Sequence, residues 1–447
     1  MNQEFMKQKK VLPLVLSMSL PMMVSMLINS LYNIVDSMFV AQIGEAALTA
    51  VSLVYPLQML VTSIGVGFGV GISAAAAFYL GAGEQREAGK AASQGFFLSI
   101  VHGVCLSVGL TASLPVFLKL FTKDGQIYSW GLEYGVIVMA FSVVVTTQIA
   151  FEKIYQSLGN MIVPTVCLAA GCITNIVLDP VFIFGLGPIP RMEVRGAAVA
   201  TVIGQLVTLL LYVAYFSRKG MGIEFSRRLM KPTGDVCRRL YMVGVPSSLT
   251  MGLPSLLVTL LNGLAGAFCA MYVLILGVYF KLQTFIYLPA SGIVQGMRPV
   301  LSYNYGAGEK RRMKQILSVC TVLILVIMAA GMALFVLLPE PIMGMFTKDA
   351  ETIREGALAL RIISLGFVVS GVSVVASGAL EALGEGVASF VISMLRYLAV
   401  IVPAAWIGTK LAGIVGLWTA FPIAETVTAA ASAVIFMLCW KKCMKKI

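Results

Sequence analysis

The sequence predicts an all-α integral membrane protein, with twelve transmembrane helices in two six-helix lobes related by a pseudo-two-fold along the membrane normal. Three observations predict it. Of 447 residues, 59% are hydrophobic and only 12% charged, too little polar surface to clothe a soluble chain of this length. The apolar stretches suit helices of ~20 residues and lack the short alternating segments of an outer-membrane barrel. The chain also repeats itself. Gly81-Ala-Gly-Glu84 recurs as Gly306-Ala-Gly-Glu309, Phe121-Thr-Lys-Asp124 as Phe346-Thr-Lys-Asp349, Leu57-Gln58 as Leu282-Gln283, Leu158-Gly159 as Leu383-Gly384, and Pro21 as Pro246, all 225 positions apart.

Spans are expected at 12–38, 48–79, 92–118, 130–153, 161–185 and 195–217, then at 241–265, 271–303, 315–338, 354–380, 386–408 and 412–439. The first follows a basic start that imitates a signal peptide, but it is too long, carries Asp36 and lacks a small-x-small cleavage site, so it reads as a retained span. The second and eighth are long enough to tilt or to extend past the bilayer. In the second, Gly67 and Gly71 form a GxxxG face for close helix packing. The third holds the only histidine, His102, read as a packing residue with at most a minor polar role. Eight cysteines form no CxxC pair, and Cys105, Cys167, Cys172, Cys269 and Cys320 fall in apolar spans as small buried residues. Lys281, Arg298, Arg361, Arg396 and Glu425 are charges inside the second half. Arg298 is expected to snorkel toward the cytoplasmic end, Arg361 lies near the outer end, and Arg396 and Glu425 could pair.

The repeat divides the chain into an N-terminal lobe over 1–216, a basic cytoplasmic linker over 217–240 and a C-terminal lobe over 241–447. Six spans per half is an even number, so both halves enter the membrane with the same orientation, the parallel-repeat class of transporter folds. The net charge of +12 would suggest nucleic acid if read without positions. Placed on the spans, Lys7, Lys9, Lys10, Arg86, Lys90, Lys153, the linker basics, Lys310 to Lys314 and Lys441 to Lys446 fall on one side, and a smaller set including Lys119, Arg191 and Lys348 on the other. The excess marks the cytoplasmic side and puts both termini there. No nucleic-acid-binding motif, phosphate loop or Ser/His/Asp arrangement accompanies it, so an enzyme, an ATP-driven pump and a nucleic-acid partner are not expected.

Asp36 lies deep in the first apolar run, with Tyr32 four residues before it on the same helical face. A charged acid at membrane depth costs roughly 2.5–3.5 kcal/mol, so such a group is suited to exchanging a proton or holding a cation. Pro21 lies fifteen residues earlier and weakens the helical ladder there. Asn175 and Asp179 are spaced i, i+4 in the fifth span and share a face. A second carboxylate near Asp36 would repel it, and a proton or small cation between the two relieves the repulsion.

The set formed by Pro21, Tyr32 and Asp36, Gly81-Ala-Gly-Glu84, Asn175 to Asp179-Pro180, Gln295-Gly296 to Arg298-Pro299 and Tyr303-Asn-Tyr-Gly-Ala-Gly308 resembles the multidrug and toxic compound extrusion (MATE) family over almost the whole chain, and most of all its bacterial DinF-like and MepA-like branch. The resemblance implies a secondary antiporter of the bacterial plasma membrane that exports amphipathic or cationic small molecules in exchange for H⁺ or Na⁺. It implies no cofactor beyond the coupling ion, and a monomer. It assigns proton or cation binding to Asp36, Asn175, Asp179 and Thr201, with Asp36 and Asp179 as the metal ligands if the ion is Na⁺, and bending to Pro21. Unlike one branch of the family, the seventh span (Pro246–Gly263) carries no acid and the tenth (Arg361–Leu380) none in its middle, so coupling is expected in the N-terminal half.

From their positions in the spans, Tyr32, Tyr55, Met59, Lys281 and Phe285 are candidate cavity-lining residues for a loose apolar or cationic ligand. The alternative function is a flippase for a lipid-linked oligosaccharide or related lipid. That class would need several Arg or Lys in a central cavity, and only Lys281 is a midspan candidate.

Overall fold

The computed structural model describes residues 4–187 and 189–445; Lys446 of the C-terminal basic cluster lies outside them. Its elements are helices α1 (Phe5–Gln8), α2 (Val11–Ala41), α3 (Glu45–Gly81), α4 (Gln85–Phe121), α5 (Gly125–Ala140), α6 (Ser142–Ser157), α7 (Ile162–Phe184) and α8 (Glu193–Lys219), a 3₁₀ turn at Arg227–Met230, then α9 (Gly234–Gly266), α10 (Ala270–Gly306), α11 (Lys310–Leu337), α12 (Pro339–Gly344), α13 (Ala350–Ser364), α14 (Phe367–Ala382), α15 (Gly386–Met394), a π-helical turn at Leu395–Ala399, and α16 (Ile401–Lys445).

Two crossings are bent helix pairs, α5 with α6 at 44° and α13 with α14 at 49°. The last apolar stretch, Gly386–Lys445, is 60 residues long. As one rod it would reach about 90 Å, three hydrocarbon cores. Non-helical backbone at Ala412 (φ −133°) and Gly413 (φ +61°) breaks it into the eleventh and twelfth spans. The described residues thus hold the twelve crossings predicted. α3, α4 and α10 each run 37 residues, about 55 Å, and so extend well past the bilayer.

The repeated tetrapeptides are the punctuation of this fold. In both copies of Phe-Thr-Lys-Asp the aspartate caps a helix. Asp124 Oδ1 accepts from the amides of Gln126 (2.8 Å) and Ile127 (3.0 Å) to start α5, and Asp349 Oδ2 accepts from the Thr352 amide (2.9 Å) to start α13. The threonine hydroxyls accept from the Asp124 and Asp349 amides in turn. In both copies of Gly-Ala-Gly-Glu the second glycine is left-handed, Gly83 at φ +79° and Gly308 at φ +74°. The following amide reaches back five residues to close the helix, Glu84 to the Tyr79 carbonyl (2.9 Å) and Glu309 to that of Asn304 (3.0 Å). Gly159 and Gly384 end α6 and α14 in the same way.

The described chain packs into two compact units, one containing residues 24–187 and 189–248 and the other residues 4–23 with 249–445. Each unit therefore includes the leading part of the helix that opens the other sequence half. In the first unit, Gly67 and Gly71 of α3 leave no room for a Cβ against Ser248 and Leu240 of α9. In the second, Gly292 and Gly296 of α10 stand 225 residues on and do the same against Met23 and Ser19 of α2. The GxxxG pattern is thus a helix-packing seam in both units. α2 runs unbroken through Pro21, and the passage from one unit to the other falls two residues beyond it.

Several charges sit differently from expectation. Lys153 is not a cytoplasmic loop residue: it is buried in α6, donating to Glu152 (2.8 Å) and Gln156 (3.1 Å). Arg298 does not snorkel but pairs with buried Glu381, because a buried carboxylate nearby outweighs solvation at a distant surface. Arg361 pairs with Glu340 at 2.8 Å, and Arg396 with Glu425 at 2.8 Å, as expected. Cys105 and Cys269 are exposed rather than buried, whereas Cys167, Cys172 and Cys320 are buried. His102 packs against Phe68 and has one polar contact, its Nε2 2.8 Å from the Tyr241 hydroxyl.

Candidate functional site

Within the first unit, α2, α5, α7 and α8 bring a polar cluster together inside an apolar core. Asp36 comes from α2, Tyr134 from α5, Asn175 and Asp179 from α7 and Thr201 from α8, and all five are buried. The i, i+4 spacing on α7 stacks Asn175 over Asp179, and Asn175 Nδ2 donates to Asp179 Oδ1 (3.4 Å) and to Thr201 Oγ1 (3.4 Å). The α7–α8 approach that permits this is made by two glycines. A Cβ on Gly204 would fall 2.7 Å from the Gly171 carbonyl and 3.0 Å from Asn175 Cβ, and one on Gly171 would collide with Thr208. No side chain larger than hydrogen fits there, so the two helices close until Thr201 meets Asn175.

The Asp36 and Asp179 carboxyls lie within hydrogen-bonding reach of each other. Neither brings a donor when ionised, so two such groups out of water need a proton or a cation between them. Three buried acceptors in the cluster, Asp36 Oδ1, Asn175 Oδ1 and Asp179 Oδ2, have no hydrogen-bond partner. An unmatched buried acceptor costs about 1–3 kcal/mol. Two carboxylate oxygens, an amide oxygen and a threonine hydroxyl are hard oxygen donors, the set that suits a proton or a small hard cation.

The phenols of Tyr32 and Tyr134 reach Thr201, and Tyr134 also accepts from Gln58 Nε2 (3.2 Å). Tyr134 and Gln58 were not singled out from sequence. A tyrosine inside an apolar span carries no signal by itself. Gln58 did stand in the repeated Leu-Gln pair, which marks register and not role. Of the other candidates, Tyr55 and Met59 are exposed on α3 and Lys281 and Phe285 on α10, apart from the buried cluster. Pro21 lies in the second unit. Among the described residues no group of three or more His, Cys, Asp or Glu could hold a metal.

The sequence profile of the MatE family matches residues 21–181 and, again, residues 246–407. The chain belongs to the MatE family. Its two matched segments start 225 residues apart, the register of the internal repeat. Similar relatives are a protein named multidrug export protein MepA from Staphylococcus saprophyticus, 27% identical over 94% of this chain and 92% of that one, and its namesake from Staphylococcus haemolyticus, 26% identical over 95% and 93%. In fold, the chain is similar to a multidrug resistance MATE family transporter solved in an outward-facing conformation, with a TM-score of 0.92 at 23% identity over 100% of this chain and 99% of that one. The MatE fold therefore accounts for the whole described chain.

Proposed function

We propose that this protein is a secondary active antiporter that exports amphipathic or cationic small molecules in exchange for H⁺ or Na⁺ by alternating access. The observation that carries the proposal is the set of partnerless buried oxygens on Asp36, Asn175 and Asp179, two of them on carboxyls in reach of each other. The relatives named as multidrug export proteins supply the cargo class. Asp36 and Asp179 hold the coupling ion, Asn175 contributes its amide oxygen and Thr201 its hydroxyl. Tyr32 and Tyr134, which both reach Thr201, make the site's contents felt on α2 and α5. Binding of an ion removes the repulsion between the two acids and lets α2 pack differently against α7 and α8. Pro21, which cannot donate a backbone hydrogen bond, is where α2 bends as it changes. Exposed Tyr55 and Met59 in the first unit, and exposed Lys281 and Phe285 in the second, are each unit's own candidate contacts for an exported molecule, the aromatic rings by cation–π contact with a positive group.

The protein works as a monomer in the bacterial plasma membrane, with both termini in the cytoplasm. The flippase alternative is disfavoured because Arg298 and Arg396 are each bound to a carboxylate and leave Lys281 to meet a phosphate alone. Inside-out vesicles with ethidium as the probe test the reading. An imposed H⁺ or Na⁺ gradient should drive uptake by the wild type and not by Asp36→Asn. Normal transport by that variant would overturn it.

A further inference from the structure

Four elements of the second unit, α10, α14, the π-helical turn and α16, meet at a second charged centre. Arg396 Nε donates to both Glu425 oxygens (2.9 and 3.1 Å), and its Nη2 donates to Glu425 Oε1 (2.8 Å) and to the Tyr287 hydroxyl (3.0 Å). That hydroxyl lies 2.6 Å from Ser370 Oγ. The guanidinium sits 5.2 Å from the Tyr287 ring centre and 5.4 Å from that of Tyr397. Both charged side chains are nearly enclosed, at 10% and 14% exposure. The titratable groups that face Glu425 are Arg396, Tyr287, Tyr279 and Tyr397.

Two departures from regular helix converge here. The π-helical turn Leu395–Ala399 carries Arg396, and such turns concentrate at functional positions. The break between α13 and α14 falls at Gly366, where a Cβ would lie 3.2 Å from Glu425 Cγ.

The internal repeat gives this centre its meaning. With the register of 225, Leu261 stands where the first unit has Asp36, and no Asp or Asn lies between Gly386 and Lys410, the stretch that answers to the one carrying Asn175 and Asp179. The second unit has thus lost the two acids and the amide of the first. Arg396 comes from the eleventh span and Glu425 from the twelfth, the two spans that answer to α7 and α8 of the first unit. A carboxylate remains on this pair of helices, and its cation is part of the chain.

We propose that Glu425, Tyr287 and Ser370 form a cation site in the second unit and that Arg396 fills it as a tethered cation, which holds this unit in a permanently loaded form. The first unit then takes its cation from solution and alone responds to pH or sodium. The inference rests on the ion-binding reading of Asp36 and Asp179 for that contrast, but the site itself can be tested without it.

The test is thermal melting of purified full-length protein in detergent, with methylguanidinium, sodium or choline added at equal ionic strength. Arg396→Ala strands Glu425 and should lower the melting temperature by roughly 5–10 °C. Millimolar methylguanidinium should restore it saturably and choline should not. Arg396→Ala with Glu425→Gln should melt near the wild type and ignore methylguanidinium. If Arg396→Ala alone does not fold, recovery of folded protein by the added Glu425→Gln is the expected result. Placing Arg396→Ala in the Asp36→Asn background should leave the methylguanidinium response intact, so a failure of the first-unit reading is separable from a failure of this one. No response to methylguanidinium, or a double variant as unstable as Arg396→Ala, would make Arg396 a packing residue and overturn the proposal.

Discussion

Replacing Asp36 by asparagine should stabilise the protein under alkaline, sodium-free conditions. Asp36 and Asp179 are in hydrogen-bonding reach. At ~3 Å and an effective dielectric constant of about 20, two unit charges repel by about 5 kcal/mol. The amide removes one charge and offers Asp179 a donor. Stability of the wild type should therefore fall as pH rises and the pair becomes doubly charged, and recover when a proton or sodium returns. The variant should be nearly flat. For a unit of this size the gap corresponds to roughly 10–20 °C at alkaline pH and closes on acidification or on addition of sodium. Differential scanning fluorimetry in detergent over a pH series, with sodium or choline, measures it. A wild type indifferent to both ions, or an Asp36→Asn protein that melts lower at every pH, would mean that the two acids are a structural pair and that the repulsion argument is wrong.

Three further outcomes follow from packing. Gly204→Val should drive α7 from α8, cost about 1–3 kcal/mol and abolish efflux by pulling Thr201 from Asn175; melting and vesicle transport check it together. Gly83→Ala and Gly308→Ala put a side chain into left-handed backbone, so each should cost about 1–2 kcal/mol in melting while leaving efflux intact. Arg298→Met strands buried Glu381 and should cost about 3–5 kcal/mol, much of it recovered when Glu381→Gln is added.

The spans were legible because lipid demands long apolar helices, and the 225-residue register because motifs that start and stop helices cannot drift. The registered motifs carried more than position. Asp124 and Asp349 are caps, and Gly83, Gly159, Gly308 and Gly384 are helix ends, so the repeat was visible where backbone geometry restricts the residue type. Asp36, Asn175 and Asp179 were legible because polar groups are costly at membrane depth, Thr201 only through the family resemblance, and the structure gathers all four. Tyr134 and Gln58 were not, since a half-apolar phenol or a lone amide in a span is ordinary until packing points it somewhere. Lys153 and Arg298 were misread for the converse reason. The side charge bias treats a basic residue near a span end as solvated, and only the fold reveals that Lys153 is buried and that Glu381 lies beside Arg298. Nor could hydropathy tell that α2 and α9 each pass from one compact unit to the other.

The measurement closest to the central claim is direct counting of ions displaced by a ligand. Purified protein in weakly buffered detergent is titrated with ethidium while released protons are followed with a pH dye, and bound sodium with ²²Na⁺. Release of about one ion per ethidium bound by the wild type, and none by Asp36→Asn or Asp179→Asn, is the predicted result. Ethidium binding that releases neither ion from the wild type, or that releases the same number from both variants, would contradict the account.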